Sequence, residues 1–267
     1  MKEKSLDCGF TMPYLGMGTW LMGGRDTRDP ADDGRASVEA LTRGLNAGYR
    51  HIDTAEMYAG GFSEEIVGEA VAGFKRESLF LTSKVWKTHL KRDDVFRAAE
   101  NSLKRLKTDY LDCYLYHQVD ESVPLAETIG AMNELVEQRI VRHIGVSNFS
   151  LERLKRAIKS SSVPIILNQV HCNLAVRDAS DELEDFCREN GVIFQAWRPL
   201  RDLEETDTTR AICQKRNITF AQLALSWLLN RENIAVITAM KNPLHLQVTM
   251  DALNIELSAD EMSALNE

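Results

Sequence analysis

Four residues of this 267-residue chain have the types and spacing for proton transfer: Asp53, Tyr58, Lys84 and His117. Each lies at or just past the end of an apolar segment that reads as a strand: Tyr49–Asp53 in GYRHIDTAEMY, Leu79–Lys84 in LFLTSK and Leu111–His117 in LDCYLYH. Tyr58 suits protonation of a carbonyl oxygen. Free tyrosine has a pKa near 10, so at neutral pH the phenol needs help to give and regain its proton. An ammonium about 4 Å away, at an effective dielectric of ~20, contributes on the order of 4 kcal/mol, roughly three pKa units. Lys84 can supply that charge, Asp53 can keep Lys84 charged and in place, and His117 can orient a carbonyl by a hydrogen bond. Taken singly, Asp53 reads equally well as a cap, Tyr58 as a loop aromatic, and Lys84 and His117 as satisfied strand-end residues. Their conjunction at three successive strand ends points to an enzyme.

Convergence of that kind needs a scaffold that brings strand ends together. Short apolar segments recur roughly every 25–35 residues, each followed by a helical pattern, the rhythm of βα units. Candidate strands lie near Leu15–Gly18, Tyr49–Asp53, Leu79–Lys84, Leu111–His117, Val141–Ser147, Ile165–Val170, Val192–Trp197 and Ile234–Thr238. Between them Val95, Ala99, Leu103 and Leu106, and then Leu125, Ile129, Met132 and Leu135, follow helical spacing, with Pro124 suited to a first turn. Ser150 and Thr219 are placed to cap helices, the first with a Leu151, Leu154 and Ile158 face, the second with Phe220, Leu223, Trp227 and Leu228. Gly191 stands where a helix beginning near Ala179 should stop. The opening SLDCGFTMPYL predicts two short strands around Gly9, a hairpin closing the barrel bottom. The expected fold is α/β, a (β/α)8 TIM barrel with a short N-terminal β-hairpin, in one domain over residues 1–267 with no linker.

Composition narrows the function classes. The net charge is −8, and no Lys/Arg-rich run occurs, which argues against nucleic acid or an anionic membrane as partner. Five cysteines, Cys8, Cys113, Cys172, Cys187 and Cys213, are scattered without a CxxC pair and fit reduced thiols in a cytoplasm. No signal-peptide core or 18-residue apolar run is present, so a soluble cytoplasmic domain is expected. No metal is expected: there is no HExxH, and His171–Cys172 alone is not a site. GxGxxG after a strand, GxxxxGK[ST] and GxSxG are likewise missing.

Several segments resemble the signatures of a known family. GYRHIDTAEMY, LTSKVW, YLYH, IGVSNFS and NQV, in that order and spacing and preceded by LGMGTW, look like those of the aldo-keto reductase superfamily. The resemblance covers nearly the whole chain. It implies a (β/α)8 barrel, nicotinamide-dependent reduction of a small-molecule aldehyde or ketone, and a catalytic tetrad matching Asp53, Tyr58, Lys84 and His117. It also implies that Ser147, Asn148 and Gln169 hold the nicotinamide carboxamide, although Ser147 and Asn148 read by themselves as residues preceding a helix. In AWRPL, Trp197 replaces the aromatic that stacks on nicotinamide in the family, and Arg198 and Leu200 join the cofactor side. Arg198 suits bidentate phosphate binding or a solvated loop charge, about equally. Trp20 and Trp86, in the first- and third-strand motifs, are the substrate-lining candidates.

The largest departure from the family follows the eighth strand, in ITAMKNPLHLQVTMDAL. Thr238, Ala239 and Met240 stand where NADP-dependent relatives carry Pro-Lys-Ser or Pro-Gly, His245 takes an Arg or Gln position, and Val248 and Thr249 take Glu-Asn. Lys241 is the nearest cation for a 2′-phosphate. NADP is the expected cofactor, with NAD also open. Two other readings compete: a cofactor-binding sensor or regulatory protein with little turnover, and a barrel lyase or isomerase using Lys84 as a Schiff-base amine. Oligomeric state and the particular carbonyl substrate are not legible.

Overall fold

The computed structural model describes residues 2–6, 9–176, 181–239 and 243–266, without the side chains of 181 and 243–245. Ala179, Met240 and Lys241 therefore lie outside the described residues, as does the side chain of His245. Strands β1 (Glu3–Ser5) and β2 (Thr11–Pro13) pair antiparallel as the predicted hairpin. Eight parallel strands follow: β3 (Leu15–Gly18), β4 (His51–Asp53), β5 (Phe80–Val85), β6 (Leu111–Tyr116), β7 (Val141–Ser147), β8 (Ile165–His171), β9 (Ile193–Trp197) and β10 (Ile234–Ala239). They close in chain order, β10 pairing with both β9 and β3. The crossovers are α1 (Arg35–Asn46), α2 (Phe62–Val71), α3 (Arg92–Leu106), α4 (Leu125–Glu137), α5 (Leu151–Ser160), α6 (Asp181–Glu189), and the pair α7 (Asp207–Arg216) and α8 (Phe220–Leu229). After β10 come α9 (Pro243–Ala252) and α10 (Ala259–Asn266).

Every predicted strand is present, with ends displaced by at most two residues. The second barrel strand begins at His51 rather than Tyr49, because the Tyr49 amide donates to Gly44 O and closes the end of α1. The fourth stops at Tyr116, although the His117 amide still donates to Val85 O at 3.1 Å. Pro124 is the N-cap of α4 rather than a residue of its first turn, a one-residue difference in where that helix begins. Ser150 accepts the Arg153 amide at the head of α5, and Thr219 and Gln222 form a reciprocal capping box on α8. Gly191 turns the chain beyond α6 with a φ of 63°.

All residues of β4, β5 and β6 are buried, since helices cover the outer face of the wall and side chains fill the inside. Alternation sorts the two cores. Tyr114 and Tyr116 turn outward into the large cluster beneath the helices, while Cys113 and Leu115 turn inward with Leu167, Ile193 and Ala235. Phe10 of the hairpin plugs the bottom of that inner core, its ring edge-on to Phe80 and His143 at 5.9 and 4.7 Å.

His51 sits inside the barrel, fully buried, with Nε2 3.1 Å from Thr82 Oγ1. Gly16 makes room for it: a Cβ there would fall 2.6 Å from His51 Nδ1. Burial, and then the charge of Lys84, push its pKa down to about 3. The unfolded imidazole takes up a proton below about pH 6.5. The folded one does so only near its own lower value, so stability falls as pH falls across that window. Between pH 7 and pH 5 this one residue should remove about 2 kcal/mol. Denaturant unfolding at the two pH values should show a drop that is smaller by about that amount in His51→Gln.

Candidate active site

The upper, C-terminal end of the barrel gathers the reactive side chains because each closes a strand. Asp53 ends β4, Lys84 is the penultimate residue of β5, His117 follows β6, Ser147 ends β7, Gln169 lies near the end of β8, and Trp197 ends β9. At the centre, the fully buried Lys84 ammonium donates to Asp53 Oδ1 at 2.5 Å, to Thr54 O at 3.0 Å and to Tyr58 Oη at 3.1 Å. Three donors meet three acceptors. A buried charge is tolerated only when it is paired and hydrogen-bonded in this way.

That pairing dictates where the Tyr58 proton goes. The phenol oxygen accepts from Lys84, so its own O–H must point elsewhere, and the ring lines a cavity of about 420 Å³. Burial, the larger effect, drives Asp53 up and would drive Lys84 down. Mutual attraction holds Lys84 above its ordinary value and pulls Asp53 back. Tyr58 departs from expectation. Lys84 does draw the phenol pKa down, as does Arg198 more weakly, but burial outweighs both and the net direction is up. Desolvation of the phenolate exceeds the ammonium's attraction at full burial.

His117 is also nearly buried, and its pKa falls well below the usual value through desolvation and the charge of Lys84, so the ring is neutral. Its Nδ1 is buried, which leaves Nε2 as the nitrogen able to meet a ligand. The ring stands edge-on to Tyr58 and Trp86 at 5.6 and 5.0 Å, and Trp20 packs edge-on to Tyr58 at 4.9 Å. Both substrate-lining candidates are thus walls of the cavity. Sequence reasoning missed Glu56, whose carboxylate takes the Trp86 amide at 2.6 Å and the His89 ring at 3.0 Å, pinning the Trp86 loop. It also missed the cavity-lining Met57 and Gln118. An acid in the loop between β4 and α2 gave no signal of its own.

The three carboxamide candidates come together but are already engaged. Ser147 Oγ donates to Gln169 O at 3.1 Å and accepts from Asn148 Nδ2 at 3.0 Å. Asn148 Nδ2 reaches His117 O as well, and its Oδ1 accepts from Trp197 Nε1 at 3.2 Å. Gln169 Nε2 donates to Asp53 Oδ2 and to Gln195 Oε1, both at 2.8 Å. The valences left open are acceptors, which suits the NH2 of a primary carboxamide. Its carbonyl would draw a donor from Ser147 or Asn148 by exchange. Trp197 already stacks on His171, at 4.6 Å and 17°, and the Arg198 guanidinium lies 5.0 Å from its ring centre. Arg198, at a φ of 54°, is held by Asn173 Nδ2 donating to its carbonyl at 3.0 Å.

Arg198, Trp20 and Tyr58 also border a second, apolar groove of about 340 Å³ that runs from Gly18 past Leu200 to Thr238 and Thr249. Leu200 and Leu21 are its exposed apolar rims. The two spaces share the walls made by Trp20, Tyr58 and Arg198. Lys241, the candidate for a terminal phosphate, lies outside the described residues. Among the described residues no group of three or more His, Cys, Asp or Glu side chains is arranged to hold a metal ion.

A closed eightfold barrel carrying a Tyr–Lys–Asp–His cluster at its C-terminal end defines a class of carbonyl-reducing enzymes, and comparison with known proteins agrees. The Aldo/keto reductase family profile matches residues 14–267. A curated relative, methylglyoxal reductase YeaE of Escherichia coli K12, is 33% identical over 264 residues, covering 96% of this chain and 90% of its own length. A thermostable aldo-keto reductase solved with the inhibitor epalrestat superposes with a TM-score of 0.95 at 43% identity, over 100% of this chain and 99% of that one. An aldo/keto reductase from Klebsiella pneumoniae, solved with NADP and acetate, gives 0.88 at 35% identity over 99% and 94%. The chain belongs to the aldo/keto reductase family.

Because Lys84 balances Asp53 in a site closed to water, removing it leaves a buried carboxylate alone. Lys84→Met should cost about 3–5 kcal/mol in denaturant unfolding at neutral pH. A loss below about 1 kcal/mol would mean that the pair is not the closed, dry unit described above.

Proposed function

We propose that this chain reduces small aldehydes and ketones, α-dicarbonyls among them, with NADPH as the hydride source. One observation carries the reading: the Lys84 ammonium donates to the Tyr58 oxygen and so leaves the phenol proton to the cavity. When bound, the reduced nicotinamide supplies a hydride to the carbonyl carbon. Tyr58 gives its proton to the carbonyl oxygen, and neutral His117 donates a hydrogen bond that holds that oxygen in place. Lys84 steadies the phenolate left behind, and Asp53 keeps Lys84 charged. Trp20 and Trp86 exclude water and select flat or compact substrates. Ser147, Asn148 and Gln169 take the carboxamide, Trp197 gives the ring a face, and Arg198 and Leu200 border the phosphate-bearing groove. NADPH, rather than NADH, is supported by relatives solved with NADP and NADPH, with Lys241 as the proposed phosphate contact. The α-dicarbonyl class comes from the methylglyoxal reductase relative. A cytoplasmic setting and the whole chain acting as one barrel unit belong to the same proposal. It rests on the scattered cysteines of the sequence, which show no CxxC pair.

Reduction requires the protonated phenol. With the Tyr58 pKa above its usual value and His117 well below its own, the rate of reduction should show no inflection near pH 6.5 and should decline only in the alkaline range. Following NADPH oxidation with methylglyoxal and with simple aldehydes tests this, with NADH in parallel. Tyr58→Phe should lower the rate by about 10²-fold or more while binding of NADPH, read by fluorescence, persists. Near-wild-type turnover in that variant would remove Tyr58 from its role. Tight NADPH binding without turnover on any carbonyl would favour the sensor reading instead.

A further inference from the structure

Gln195 is a polar residue in the barrel interior that the reaction as described does not use. It is fully buried on β9, two residues before Trp197, in register with Gln169 on one side and Ala235 on the other. Its Oε1 accepts from Gln169 Nε2 at 2.8 Å, and its Nε2 has no partner among the described residues. A buried amide nitrogen left unsatisfied is destabilising, and an apolar side chain of the same length would avoid that cost. The oxygen of this residue is therefore what the site needs.

The orientation of both amides follows from charge. An ammonium only donates, so Asp53 must accept from Lys84, and an ionised carboxylate only accepts. The Gln169 atom 2.8 Å from Asp53 Oδ2 must then be the nitrogen. That nitrogen is also 2.8 Å from Gln195, which must present its oxygen. With both N–H bonds of Gln169 directed inward, its Oε1 is the remaining valence on a side chain that lines the cavity. We propose that Gln195 is a positioning residue that locks the Gln169 amide, so that the cavity offers a fixed acceptor to the NH2 of the nicotinamide carboxamide and ties that acceptor to the Asp53 carboxylate. The proposal rests on the assignment of this cavity to the nicotinamide made above. Without Gln195 Oε1, the Gln169 amide keeps one anchor instead of two, and its oxygen is no longer held in one orientation toward the cavity.

The test is cofactor binding, measured by fluorescence or calorimetry without substrate, for NADP and for its 3-acetylpyridine analogue, in which a methyl replaces the NH2. Wild type should bind NADP more tightly than the analogue. In Gln195→Met the NADP dissociation constant should rise about tenfold, the scale of one hydrogen bond, while the analogue's changes less, so the ratio between the two collapses toward one. The melting temperature should change little, since the lost Gln169 hydrogen bond is offset by removal of the unsatisfied Gln195 nitrogen. Gln195→Leu provides the same reading if the methionine variant does not accumulate. An NADP constant within twofold of wild type, or an equal loss for both ligands, would overturn the positioning role. Failure of the wild type itself to bind NADP would instead sink the assignment of the cavity.

Discussion

The arrangement at the top of this barrel depends on one ion pair held out of water. Moving an ammonium and a carboxylate into a low-dielectric interior costs several kcal/mol per ion unless every donor and acceptor is matched. Here Lys84 has three acceptors and Asp53 has a donor on each oxygen. From that match the rest follows in sequence. Tyr58 must accept and so must aim its proton outward, His117 is kept neutral by burial and then by the charge of Lys84, and the Gln169 amide must turn its nitrogen inward.

The direction of the Tyr58 shift shows how two opposed effects are weighed. Coulombic attraction by Lys84 favours the phenolate, and desolvation disfavours it by more. In the proposed reduction a phenol that stays protonated suits proton donation, and the same ammonium would stabilise the phenolate as it forms. Under that proposal the ion pair contributes to the transition state more than to the resting acid. The side chains of Trp20, Trp86 and Trp197 line the cavity beside the buried pair.

Much of this was legible in the chain. Eight apolar segments separated by helical patterns specify a parallel barrel, because parallel neighbours require crossovers and a covered wall requires continuous apolar strands. The strand ends then place Asp53, Lys84 and His117 together, and the helical turn after β4 adds Tyr58. Caps were readable too, since Ser150 and Thr219 act through local backbone amides a few residues away.

What sequence alone decided were properties carried by periodicity and by residue type at a strand end: the fold, the reactive set and the family to which they belong. Tertiary structure decided the quantities that depend on who faces whom across the barrel. Gln195 carried no signal of a role in the sequence; only closure of β8 against β9 sets its oxygen against Gln169. Glu56, Thr54 O and His171 likewise became part of the site through contacts between segments far apart in the chain. The net direction of the Tyr58 shift belonged to the same class, because burial is a property of the closed barrel and no spacing in the sequence encodes its magnitude.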